Sequence, residues 1–144
     1  MYSKADSVLE EFLGKVDPGG YIALLAYLPM DTDTTGALEK LAASVSLRSG
    51  ADVTPGWGPR YLHSTGQLHK GGPATGCFIQ VVEDSVEEQD IPGRHYGFST
   101  LHRAQADGDF SVLQEIGRPI MRITIKKDRL DTLAKITKKI DATR

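Results

Sequence analysis

The chain has 144 residues, enough for one domain with a real core, and its 40% hydrophobic and 25% charged residues are ordinary globular composition. A net charge of −2 gives no nucleic-acid or membrane signature, and the longest apolar stretch, Tyr21 to Leu28, is far too short to span a bilayer. The start MYSKADSVLEEF has no apolar signal core, and the single cysteine, Cys77, excludes an intrachain disulfide framework; together they lead us to expect a cytoplasmic protein.

SKADSVLEEFLGKV reads as a helix, with Ser3 and Asp6 as a capping-box-like start and Val8, Leu9, Phe12, Leu13 and Val16 on one face. Asp17-Pro18-Gly19-Gly20 stops it. YIALLAYL is wholly apolar, as expected of a strand buried on both faces of a parallel sheet. Thr34 or Thr35 is placed to cap a second helix with Leu38, Leu41, Ala42 and Val45 inward, closed by Ser49-Gly50. Ala51 to Thr54 suits a short strand, and Pro55-Gly56-Trp57-Gly58-Pro59 then reads as a loop. TGCFIQVVE is a clear strand, which makes Cys77 a small buried hydrophobe.

DSVEEQD and IPGRHYG read as an exposed connection with little core potential. Phe98 to Ile116 reads as a helix, weakest at Asp107-Gly108-Asp109, with Leu101, Ala104, Phe110, Leu113 and Ile116 as its apolar positions. Pro119 to Ile125 alternates as a strand, and Asp128 is placed to cap a last helix carrying Leu130, Leu133, Ala134, Ile136 and Ile140. Helices and strands alternate throughout, which predicts a single α/β domain over 1–144: a three-layer α/β/α sandwich with a mainly parallel sheet. Ligands of such sheets sit at the carboxyl ends of the strands.

RYLHSTGQLHKGG, residues 60 to 72, leaves one such strand end. Ser64 and Thr65 stand where a helix would start, and free N–H groups there favour an anion. Arg60 and Lys70 add positive charge, His63 exchanges protons near neutral pH, and Gln67 lies one helical turn after it. These residue types suit a phosphorylated or polyhydroxylated small molecule. On spacing alone the plain alternative stands ahead: a cap at Ser64 or Thr65, an exposed histidine, and Lys70 as a helix C-terminal cation. His63 and His69 are six apart with no acidic or cysteine partner nearby, so no metal site is indicated. No phosphate-loop, dinucleotide or nucleophile-elbow spacing occurs. The last helix is basic, but its charges are scattered and lack aromatic companions, so nucleic acid is not expected as a partner.

GPRYLHSTGQLHKGGP, followed by a strand, then IPG, then YGFSTLHRAQADGDFSVLQEIGRPIMRI, resembles the carboxyl-terminal part of the bifunctional transaldolase/glucose-6-phosphate isomerase proteins, from about residue 5 to 140. The resemblance implies a sugar isomerase (SIS)-like domain acting on glucose 6-phosphate and fructose 6-phosphate without a metal or organic cofactor. It places His63 on the histidine that assists ring opening, with Gln67 orienting it or touching the sugar. Ser64, Thr65, Arg60, Lys70 and Arg103 would contact substrate. His102 stands where relatives read lysine in an LKRAQ-like segment, a position that would aid catalysis.

The family's base glutamate belongs to a segment preceding the matched region, and neither Glu39 nor Glu83 has its context. The resemblance therefore implies half of an isomerase, needing an upstream SIS/transaldolase portion or a partner chain. The alternative is a non-catalytic phosphosugar-binding, regulatory or assembly module. Pairing into a homodimer through helices is also an expectation.

Overall fold

The computed structural model describes residues 4–63, 65–84 and 90–142; of the side chains in these ranges, those of 4–7, 63, 65–67 and 98 lie outside the description. Ser3 and Asp6, read as a capping pair, fall there, as does most of the acidic DSVEEQD segment. The elements run α1 (Lys4–Leu13), β1 (Tyr21–Tyr27), α2 (Thr32–Ser49), β2 (Asp52–Trp57), a 3-10 turn (Arg60–His63), α3 (Thr65–Gly71), β3 (Gly76–Glu83), α4 (Phe98–Glu115), β4 (Ile120–Ile125) and α5 (Arg129–Ala142).

Among the described residues the four strands pair only in parallel, in the order β2-β1-β3-β4. The fold is therefore an α/β/α sandwich, as the alternation of elements requires. β1 and β3 are central and read as unbroken apolar runs because both of their faces are covered. One face carries α1, α2 and α5 over Ile22, Leu24, Ile79, Val81 and Ile125. The other carries the 3-10 turn, α3 and α4 over Ala23, Leu25, Phe78 and Val82. The alternation of β4 divides as the sequence suggests, with Met121, Ile123 and Ile125 on the first face and Ile120 on the second. Cys77 is buried, and burial pushes its thiol pKa up.

Several local expectations are corrected. The N-cap of α2 is Asp31, whose carboxylate accepts from the Thr34 backbone N–H at 2.7 Å. Thr34 itself is fully buried. Gly50 closes the helix in the left-handed region, at φ 74°, as its place after Ser49 implies. β2 does not stop at Thr54: Pro55 and Gly56 continue it, opposite Leu24 and Leu25. Proline is tolerated there because β2 is an edge strand and the missing N–H has no ladder to serve. α4 is continuous through Asp107-Gly108-Asp109.

The buried face of α4 also differs from the apolar pattern. Ala106, Asp109 and Leu113 are buried, whereas Leu101, Ala104 and Ile116 are exposed. The buried set keeps helical spacing, but one member is a carboxylate, so hydrophobicity alone points to the wrong stripe. Residue 128 precedes α5 in the left-handed region, at φ 51°, and its carbonyl accepts from the Thr132 N–H.

Candidate functional site

The chain leaves β1 toward β2 on one side and returns to β3 on the other, so the carboxyl ends of β1 and β3 form a switch in strand order. This is where ligands of open α/β sheets bind. The N-terminal half of α4 crosses it. The His102 Nε2 lies 3.1 Å from the carbonyl oxygen of Gly58, the residue after β2. A carbonyl only accepts, so in this contact Nε2 carries the proton it donates. The imidazole also packs on the ring of Tyr27, the last residue of β1, at 5.2 Å between centroids.

The next residue, Arg103, reaches the end of β3, where it donates to Asp84 at 2.6 Å and to Asp107 at 3.2 Å. Glu83, Asp84, Ser99, Thr100, Arg103 and Asp107 line a shallow cleft of about 420 Å3 here. Because Arg103 is flanked by two carboxylates, an anion entering this cleft must displace at least one of them. Arg129 closes the other side of the switch, donating to Glu83 at 2.7 Å and to Thr34 Oγ1 at 3.0 Å.

Gly58 permits this arrangement. A side chain there would place its Cβ 2.5 Å from the Tyr27 ring, so only glycine brings its carbonyl under His102. The 3-10 turn follows and ends at His63. The side chains of His63, Thr65 and Gln67, and Ser64 entirely, lie outside the described residues. Arg60 opens the turn and is exposed.

Lys70 stands in the last turn of α3, as its place before Gly71 and Gly72 implies, but its side chain does not serve the helix end. It turns inward and lies 2.7 Å from Asp109 Oδ1, a carboxylate whose side chain is 1% exposed. The cation that serves the end of α3 is Arg118, which donates to the carbonyls of His69, Lys70 and Gly72.

Asp109 anchors a polar network that the sequence does not reveal. Tyr61 donates to Asp109 Oδ2, and the Tyr61 and Tyr27 hydroxyls are 3.2 Å apart. Burial, reinforced by Asp109 and Tyr27, pushes the Tyr61 phenol far up. Burial likewise takes Tyr27 to about 12, so both stay protonated at any physiological pH. The Asp109 Oδ1 has no well-directed hydrogen bond and is held by the charge of Lys70.

His69, 4% exposed, sits among the rings of Tyr21, Tyr61 and Phe78 with Nδ1 unpartnered, and burial pulls its pKa down. Gln80, buried in mid-strand, donates to the Ala106 carbonyl at 2.8 Å and accepts from Arg122 at 2.7 Å. Arg122 in turn stacks on Phe110 and pairs with Asp107. The two hydroxyls and Gln80 thus tie α4 to the sheet immediately below His102 and Arg103. A polar residue in the middle of an apolar strand, as in CFIQVV, is the signal that could have found this network.

Among the described residues, no three His, Cys, Asp or Glu side chains gather as a metal site, and no helix is long and apolar enough to cross a membrane. No family model and no curated protein matches the chain. In three dimensions it is similar to hypothetical protein TT0462 from Thermus thermophilus, with a TM-score of 0.66 at 15% identity over 93% of this chain. At that identity the likeness is one of fold. The chain spans 36% of the length of that neighbour.

Proposed function

We propose that the chain is a SIS-like phosphosugar domain of the transaldolase/glucose-6-phosphate isomerase family, which contributes to the interconversion of glucose 6-phosphate and fructose 6-phosphate in the cytoplasm. The observation that carries the reading is the crossing of α4 over the switch point. It sets His102 and Arg103 at the carboxyl ends of β1 and β3, beside the turn that ends at His63. Gly58, which leads into that turn, and His102, distant in sequence, thus meet at one end of the sheet.

In this reading His63 exchanges the ring-opening proton, with Gln67, Ser64 and Thr65 nearby. His102 offers Nδ1 as a second acid–base group, and Arg103 releases Asp84 or Asp107 to meet the anion. Lys70 leaves the list, since its ammonium neutralises Asp109. Arg60 remains a candidate for the phosphate because it is exposed at the turn. General acid–base steps need both a donor and an acceptor within hydrogen-bond reach of the sugar, and the base for the second step would come from outside this chain.

The test mixes the chain with the upstream SIS portion and assays isomerisation for wild type, His63→Ala and His102→Ala. Loss of about a hundredfold or more on His63→Ala is expected from removal of a general acid–base. Equal rates for wild type and His63→Ala remove it from the mechanism. The alternative, a non-catalytic binding module, is supported by the absent base. It predicts calorimetric binding of fructose 6-phosphate, weakened by Arg103→Ala, with no turnover after mixing.

A further inference from the structure

α2 and α5 lie side by side and parallel. Arg129 reaches Thr34 near their amino ends, and Ser44 donates to Asp141 at 2.7 Å near their carboxyl ends. Between them runs an open groove of about 530 Å3. Gly36, Ala37 and Ala134 line it with almost no side-chain bulk, and Leu130 borders it 42% exposed. A Cβ built on Gly36 meets nothing within 4 Å, so the backbone of α2 is open to close approach.

Three charges along this groove make no ion pair within their own molecule: among the described residues none uses Asp33, Lys40 or Lys138. Asp33 and Lys40 lie on one face of α2, seven residues apart, so about 10 Å separates them along the axis and they do not reach each other. Asp33 stands in the first turn of α2. Lys138, one turn before Asp141, stands near the level of Lys40 and Ser44. The groove thus carries Asp33 at one end, and at the other two lysines against one carboxylate, Asp141, which is bonded to Ser44, with its smallest residues midway between Asp33 and Lys40.

We propose that the α2–α5 groove is an interface between two copies of this chain, with α2 of each lying antiparallel in the groove of the other about a two-fold axis at Gly36 and Ala37. In that register Asp33 of each copy meets Lys40 of the other, and Lys138 approaches the same acidic end. Gly36 faces Ala37 at the crossing, and Leu130 is covered. The pattern is self-complementary, as an isologous contact requires: residue i meets j, and j meets i. Two helices from each copy take part, and the contact has to bury roughly 1,200–2,000 Å2 in total to be stable. The interface stands independently of the isomerase reading, since no residue of the switch-point site lines the groove.

The experiment is sedimentation velocity on the 144-residue chain from about 1 to about 200 µM, with circular dichroism to confirm that each variant folds. Wild type should sediment as a dimer at the upper concentrations. Lys40→Glu should weaken the dimer by at least about tenfold, because each Asp33 then faces a carboxylate. Asp33→Lys combined with Lys40→Glu should restore it, since the swapped charges are again self-complementary. As a check on register, Gly36→Cys should form an intermolecular disulfide under mild oxidation, while Gly108→Cys, equally open on α4, should not. A wild type that stays monomeric at the highest concentration overturns the proposal. So does a dimer that survives Lys40→Glu, or a charge swap that fails to rescue.

Discussion

Replacing Lys70 by methionine tests whether this residue is structural or free to meet a ligand. Its ammonium lies 2.7 Å from a carboxylate that is 1% exposed, while Lys70 itself is 33% exposed. Removing one partner of a fully buried pair costs about 3–5 kcal/mol, because the remaining charge is stranded. Water reaches the lysine side, and the Tyr61 hydroxyl still donates to Asp109, so a loss of about 2 kcal/mol is expected. Methionine keeps most of the stem, so the loss is electrostatic rather than a cavity. With a urea m-value of about 2 kcal/mol/M, the unfolding midpoint should fall by about 1 M.

The control is the same substitution in an Asp109→Asn background. Asparagine carries no charge to strand, so Lys70→Met should there cost less than about 0.5 kcal/mol. The difference between the two backgrounds isolates the pair. A midpoint shift below about 0.2 M for Lys70→Met alone, or equal losses in both backgrounds, refutes the structural role. Lys70 would then return to the residues available for a phosphate.

His69 should make stability fall in mild acid. Its folded pKa lies below the usual 6.5, so its contribution is complete above about 6.5 and is lost as the pH drops toward the folded value, the unfolded chain taking up the proton first. Urea midpoints measured from about pH 7.5 to about pH 5 should decline for wild type and flatten for His69→Phe; parallel curves would show that His69 does not govern the decline. Gly58→Ala should cost about 1–3 kcal/mol, since its Cβ meets the buried Tyr27 ring, and it should shift the NMR signals of the His102 ring by moving the carbonyl beneath it. An unchanged His102 spectrum would count against that contact. Arg129→Ala should destabilise by about 2–3 kcal/mol, because Glu83, 10% exposed at its side chain, loses its cation. Glu83→Gln in the same chain should recover part of this, and no recovery in thermal melts would place the loss elsewhere.

The layers of this fold were legible because the central strands are unambiguous. YIALLAY and GCFIQVVE are continuous apolar runs of strand length, and only two-sided burial makes such runs stable. Edges and faces were harder. β2 extends through Pro55 because an edge strand tolerates what a central one does not, and its neighbours are unknown from sequence. The inward face of α4 was misread because Leu101 and Ile116 mimic an apolar stripe while Asp109, which looks like surface, is buried. Lys70 was read from local position either as a substrate contact or as a helix-end cation. Its partner lies 39 residues away, and the end of α3 is instead served by Arg118. Local pattern predicts a residue's environment only when its neighbours are local too.

The same point governs the candidate site. His102 and Arg103 attract attention by their chemistry, yet neither sets its own position. α4 is held over the sheet by Tyr61 and Lys70 on Asp109, and by Gln80 on the Ala106 carbonyl, all within about two turns of His102. These contacts are polar and buried, so each is directional as well as stabilising, and together they leave α4 little freedom to rotate or slide. A helix held by apolar contacts alone could shift by a fraction of a turn with modest loss, and His102 would then leave the Gly58 carbonyl. The buried carboxylate at the centre of α4 is thus the residue least like a core residue in sequence and the one on which the placement of the switch-point groups most depends.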